Sequence, residues 1–74
     1  MSKLPAISGL AAVKAMGKIG YEIDHQPGSH IVLRQTAAPH RRLTVPNHKE
    51  LAKGTLRSII REAGLTVAQF AELL

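Results

Sequence analysis

Four histidines, at positions 25, 30, 40 and 48, are the only side chains of this sequence whose ordinary titration falls near neutrality. They stand in and beside a run of cations. From Arg34 to Arg61 the chain carries Arg34, Arg41, Arg42, Lys49, Lys53, Arg57 and Arg61 against the single acid Glu50. An imidazole can move a proton to or from a ribose 2′-hydroxyl or a leaving 5′-oxygen, and a guanidinium beside it can hold a phosphate and offset its added charge. His30 has the most suitable setting. It directly follows Pro27-Gly28-Ser29, with Arg34 two same-face strand positions further on. Spacing alone leaves two readings open, a catalytic histidine and a surface or packing one.

Other chemistries lack their residues. No histidine pair has the i, i+4 helical spacing or the cysteine partners of a zinc site, and the chain has no cysteine. No tightly spaced catalytic carboxylates, Ser-His-Asp order, phosphate-binding P-loop or dinucleotide-binding glycine loop occurs. Metal-dependent hydrolysis is disfavoured, no metal ligands are assigned, and no cofactor is expected.

These side chains need a scaffold, and 74 residues make one domain, 1–74, with 1–7 an extended tail stiffened by Pro5. A chain this short buries only about 60% of its unfolded surface, and no disulfide can brace it. Tyr21 and Phe70 are the only aromatics, too few for a stacking platform that reads single-stranded bases. A net charge of +5 and a pI near 10.3 favour a polyanionic partner, although the same charges could simply solvate a small protein. No apolar run approaches the roughly 18 residues of a membrane span, and the start lacks a signal-peptide core. The expectation is a cytoplasmic protein with no membrane partner.

The patterning predicts an order α-β-β-β-α-α. Ser8 is the expected N-cap of a helix to about Lys18, with Ala12, Val13, Met16 and Ile19 on one face and Gly20 ending it. Strands are expected at about Tyr21–Gln26, His30–Gln35 and Arg42–Val45, with Pro46 ending the last. A three-residue turn, Pro27-Gly28-Ser29, pairs Ile23 with Leu33 and His25 with Ile31 on the packed face. It also sets Glu22 beside Arg34 and Gln26 beside His30 on the other face. His30, Val32 and Arg34 then point away from the core. Leu56, Ile59, Ile60 and Ala63 form the apolar stripe of a second helix ended by Gly64. Thr66 to Gln69 reads as a capping box, with Leu65 and Phe70 as a hydrophobic staple, opening a short last helix completed by Val67, Phe70, Ala71 and Leu74. The fold class is α+β, a three-stranded antiparallel sheet with helices on one face and the other open.

Three motifs in order carry a resemblance: Gly28-Ser29-His30, then Thr44-Val45-Pro46-Asn47-His48, then Lys53-Gly54-Thr55-Leu56-Arg57-Ser58-Ile59-Ile60-Arg61-Glu62-Ala63-Gly64-Leu65. Together they resemble the HicA family of toxin mRNA interferases, over nearly the whole chain from Ser8-Gly9 to the Phe70 region. The sequence departs at His25, where many relatives carry Arg or Lys, and at Leu33, where an aromatic is common. The resemblance implies a fold like the double-stranded-RNA-binding domain, metal-independent cleavage of mRNA, and a cognate HicB-type antitoxin that blocks the active site. It also implies that His30 is catalytic.

The expected function is therefore a toxin endoribonuclease with His30 as general acid/base. Ser29, Arg34, Arg42, Lys53 and Arg57 are the expected RNA or phosphate contacts, with Gly28 and His48 in supporting positions. His48 also fits a turn residue that docks its loop onto the last helices. Lys53, Arg57 and Arg61 also fit a solvated face or an antitoxin surface. The rival functions are a basic module that grips structured RNA without cutting it and a regulatory subunit that acts only with a partner. The expected reaction is attack of the 2′-hydroxyl on the adjacent phosphate, leaving a 2′,3′-cyclic end.

Overall fold

The computed structural model describes residues 3–74; of the tail expected at 1–7, Met1 and Ser2 lie outside the described residues. The elements are α1 (Gly9–Gly17), β1 (Tyr21–His25), β2 (His30–Gln35), β3 (Arg42–Pro46), α2 (Lys53–Glu62) and α3 (Val67–Ala71). The strands form one antiparallel sheet in the order β1-β2-β3, the fold class expected from the sequence.

Local chemistry sets the helix limits. Ser8 caps α1 by accepting the Ala11 N–H at 3.0 Å, and Gly20, at φ +95°, turns the chain into β1. Thr66 and Gln69 make the reciprocal capping box of α3. Gly64, at φ +75°, takes the left-handed position after α2 that costs a side chain most.

One face of the sheet carries the core. Ile31 and Leu33 of β2 and Leu43 and Val45 of β3 are buried against Ala12, Ala15 and Met16 of α1, Leu56, Ile59 and Ile60 of α2, and Phe70 of α3. Each such Leu, Ile or Phe contributes about 1.5–3 kcal/mol by leaving water. The alternate residues His30, Val32, Arg34, Arg42 and Thr44 line the face that no helix covers. Leu73 packs on the core, whereas Leu74 is 50% exposed and Ala71 is exposed. The short α3 ends at Ala71 and its cap turns the chain, so the stripe expected to continue to Leu74 breaks there. Residues 3–7 form neither helix nor strand but are docked: Leu4 and Ile7 pack on the core, and the Ile7 carbonyl accepts the Leu51 N–H at 2.8 Å.

The β1–β2 register departs from the expected one. Glu22 pairs with Arg34 and Ile23 with Leu33, but His25 then pairs with Val32 rather than Ile31. Asp24 is the extra residue of a β-bulge, and the bulge removes the expected pairing of Gln26 with His30. His25 therefore leaves the packed face to which alternation assigned it. Ile23, on the edge strand, stays 53% exposed although its partner Leu33 is buried. On the far strand, Pro46 remains in the ladder and pairs with His30.

Candidate active site

The turn before β2 and the loop after β3 meet at one end of the sheet. His30 pairs with Pro46, and the Asn47 N–H donates to the Ser29 carbonyl at 2.7 Å. Within the turn, the His30 N–H bonds the Pro27 carbonyl at 3.1 Å, while Gly28 takes φ +60°, where a Cβ would be strained. The Gly9 N–H bonds the His48 carbonyl at 2.9 Å, which brings the start of α1 onto the same loop. A methyl group on Gly9 would fall on the Pro46 carbonyl, so only glycine permits this approach. The His48 loop thus bonds by its backbone to the start of α1, its Leu51 is buried in the core that α2 and α3 share, and the His48 side chain stays exposed.

His30 is exposed on the uncovered face. Arg34, partly buried, lies four residues along the same strand and face, about 13 Å by strand rise. Its strand partners are Glu22 on one side and Arg42 on the other. Arg42 is not a lone cation. Its Nε lies 3.5 Å from Asp24 Oδ2, an ion pair that crosses over β2 from β3 to β1. The same carboxylate oxygen lies 3.1 Å from His25 Nδ1. The hydrogen bond with His25 is the main force holding the Asp24 carboxyl below its ordinary 3.8; the Arg42 and His25 charges add to it, against partial desolvation. Of the members of this surface, Asp24 was expected on a solvent face beside Glu22 but given no role, and His25 was expected on the packed face. The signal that bears on them, the departure at His25, identifies a difference without giving its direction.

The expected phosphate contacts fall into two groups. Ser29, Arg34 and Arg42 belong to the uncovered face and its rim. Lys53 and Arg57 line a depression on the helical layer together with Lys3, Leu4 and Val67. Lys3 was not anticipated there, because its position depends on the tail folding back over α2. No side chain caps the N-terminus of α2 and no acid stands in its first turn, so its free N–H groups add to the positive potential. His40 lies apart, in the β2–β3 loop, with Nδ1 at 3.1 Å from the Gln35 carbonyl.

Among the described residues, no group of three or more His, Cys, Asp or Glu side chains is placed to hold a metal ion, and no helix is long and apolar enough to cross a membrane. The arrangement offers an exposed imidazole, a second imidazole tied to a carboxylate, and cations for a polyanion.

Residues 11–65, well over half of the chain, match the sequence profile of a family described as HicA toxin of bacterial toxin-antitoxin. The matched stretch runs from α1 past the end of α2 and includes the Gly28-Ser29-His30 turn and the Pro46-Asn47-His48 loop. No curated protein matches the chain.

Proposed function

Because the chain belongs to the HicA toxin family, and so is the toxin of a toxin–antitoxin system with a cognate antitoxin, we propose that it acts as an endoribonuclease that cleaves mRNA in the cytoplasm without a metal ion. His30 is the general acid/base. Arg34 and the rim around Ser29 hold the phosphate that reacts, with Gly28 shaping the turn and His48 supporting the loop opposite. Arg42, Lys53 and Arg57 bind other phosphates of the strand. The 2′-hydroxyl attacks the adjacent phosphate and leaves a 2′,3′-cyclic end. The antitoxin, of the HicB type, covers the open sheet face and blocks His30.

The observation that carries this reading is the exposure of His30 on the bare face, at a turn tied by backbone to the loop of the second motif. A histidine kept for packing has no need of that setting, whereas a proton-transfer group must reach its substrate. The test is incubation of purified wild type and His30→Ala with labelled RNA in EDTA. Wild type should cut, and His30→Ala should lose roughly 10²–10⁴-fold in rate. The variant should also melt within about 0.5 kcal/mol of wild type, as expected for a surface strand position. Wild type that binds RNA and never cuts it would leave a binding module in place of a nuclease.

A further inference from the structure

Transesterification at a phosphate is served best by two proton-transfer groups, one for the attacking oxygen and one for the leaving oxygen, and His30 supplies only one. The uncovered face holds a second imidazole. His25 shares its face with its partner Val32, because paired residues of antiparallel strands project to the same side. Val32 stands between the buried Ile31 and Leu33, so its face is that of His30 and Arg34. His30 is two residues from Val32 along β2, which makes it the diagonal neighbour of His25. Such neighbours have backbones about 7–8 Å apart, near enough for two side chains to engage one group between them.

His25 is also oriented. Its Nδ1 lies 3.1 Å from Asp24 Oδ2, and its side chain is 60% exposed. Arg42 Nε, 3.5 Å from the same oxygen, fixes the carboxylate from across the sheet. A carboxylate on Nδ1 selects the tautomer, leaves Nε2 to exchange protons, and stabilises the imidazolium when it forms. The Asp24 carboxyl sits below its ordinary 3.8, so it is ionised at neutral pH and able to do this. The charged and titratable groups sharing the face are Glu22 and Asp24 on β1, His30 and Arg34 on β2, and Arg42 on β3. The β-bulge at Asp24 makes the arrangement possible, since regular alternation would bury His25 against Ile31. Bulges commonly re-aim side chains in this way beside active sites.

Building on the ribonuclease function proposed above, we propose that His25 is the second catalytic proton-transfer group of the cleavage reaction, with Asp24 as its positioning residue. As the O2′–P bond forms, one neutral imidazole takes the proton of the 2′-hydroxyl. As the P–O5′ bond breaks, the other imidazole, entering protonated, gives its proton to the 5′-oxygen. The products are a 2′,3′-cyclic phosphate and a 5′-hydroxyl. One proton is taken and one delivered, and no oxidant, reductant or further reactant is required.

The experiment is the pH dependence of kcat/KM on a labelled RNA oligonucleotide in EDTA, for wild type, His25→Gln, Asp24→Asn and His30→Ala, with melting curves for each. Wild type should give a bell-shaped profile whose two limbs belong to the pair of groups. His25→Gln should lose one limb and roughly 10²–10⁴-fold in rate while melting like wild type, because the side chain is exposed. Asp24→Asn should lower kcat and leave KM in place, a split that a purely structural residue does not give. An inactive His30→Ala beside a His25→Gln variant that keeps the full bell and nearly the full rate overturns the role of His25 alone. A wild type that does not cut RNA, or a fully active His30→Ala, overturns the nuclease function and this inference together.

Discussion

The N–H of Asn47 and the carbonyl of Ser29 are joined by a 2.7 Å hydrogen bond. Two of the three sequence motifs thereby become one backbone unit, with the turn that carries His30 held against the loop that follows β3. The Gly9 N–H, bonded to His48, adds the start of α1 to the same unit. His30 is thus positioned by main-chain bonds from three separate stretches of sequence, and its side chain is left for chemistry.

The tightest point of that unit is Gly9. Alanine is normally the better helix residue by up to about 1 kcal/mol, but here the new Cβ meets the Pro46 carbonyl, with Pro46 C at 3.0 Å and Asn47 Cα at 3.2 Å. Overpacking of this kind costs about 1–3 kcal/mol, so Gly9→Ala should lower the melting temperature. In the same helix Gly17 has open space around its Cβ position, and Gly17→Ala should stabilise by about 0.5–1 kcal/mol. Thermal melting of the two variants compares them directly; equal stability of both would remove the close approach of α1 to Pro46.

The second prediction concerns acid stability at Asp24. Its folded carboxyl titrates below its ordinary 3.8, chiefly through the hydrogen bond with His25 and then the Arg42 charge, against desolvation. A depressed folded pKa contributes stability that is present above the unfolded value and disappears as pH falls through the folded one. Wild type should therefore melt slightly higher than Asp24→Asn at neutral pH, with the difference closing below the ordinary carboxylate range. The difference should be small because the pair is on the surface. A gap that persists in acid would assign it to something other than the charge of Asp24.

For the basic depression, salt is the informative variable. On single-stranded RNA, every phosphate that a cation ceases to neutralise flattens the slope of log affinity against log salt by about 0.7. Lys53→Ala with Arg57→Ala should weaken binding and flatten that slope, read by filter binding across a salt series. An unchanged slope would give these side chains to the antitoxin or to solvent.

Tyr21 offers a stability test away from the site. It is 5% exposed, and among the described residues its hydroxyl is a buried polar atom without a hydrogen-bond partner. Burial pushes its phenol up, against the lowering influence of Arg41. Leaving a buried polar group unpaired costs about 1–3 kcal/mol, so Tyr21→Phe should stabilise the protein, by about 1 kcal/mol in denaturant melts. Destabilisation would reveal a partner for the hydroxyl.

Much of this protein is legible in its sequence, because the forces concerned act within a few residues. Ser8 and Thr66 mark helix starts through bonds three residues ahead, and Gly20 and Gly64 mark ends through backbone freedom. Alternation through Ile31-Val32-Leu33 and Leu43-Thr44-Val45 separates the packed face from the bare one and leaves His30 exposed. What alternation cannot reveal is an extra residue. The bulge at Asp24 leaves composition and local propensity unchanged and alters only which residue His25 meets across the ladder. Its stabilising interactions include Asp24 with Arg42, a pair that exists only once β3 has joined the sheet. The fit of Gly9 against Pro46 and the docking of residues 3–7 beside Leu51 depend in the same way on surfaces distant in sequence. Local patterning settles the elements, the two sheet faces and the exposure of His30. Which other side chains join it on that face is settled only in the folded chain, because cross-strand register answers to long-range packing.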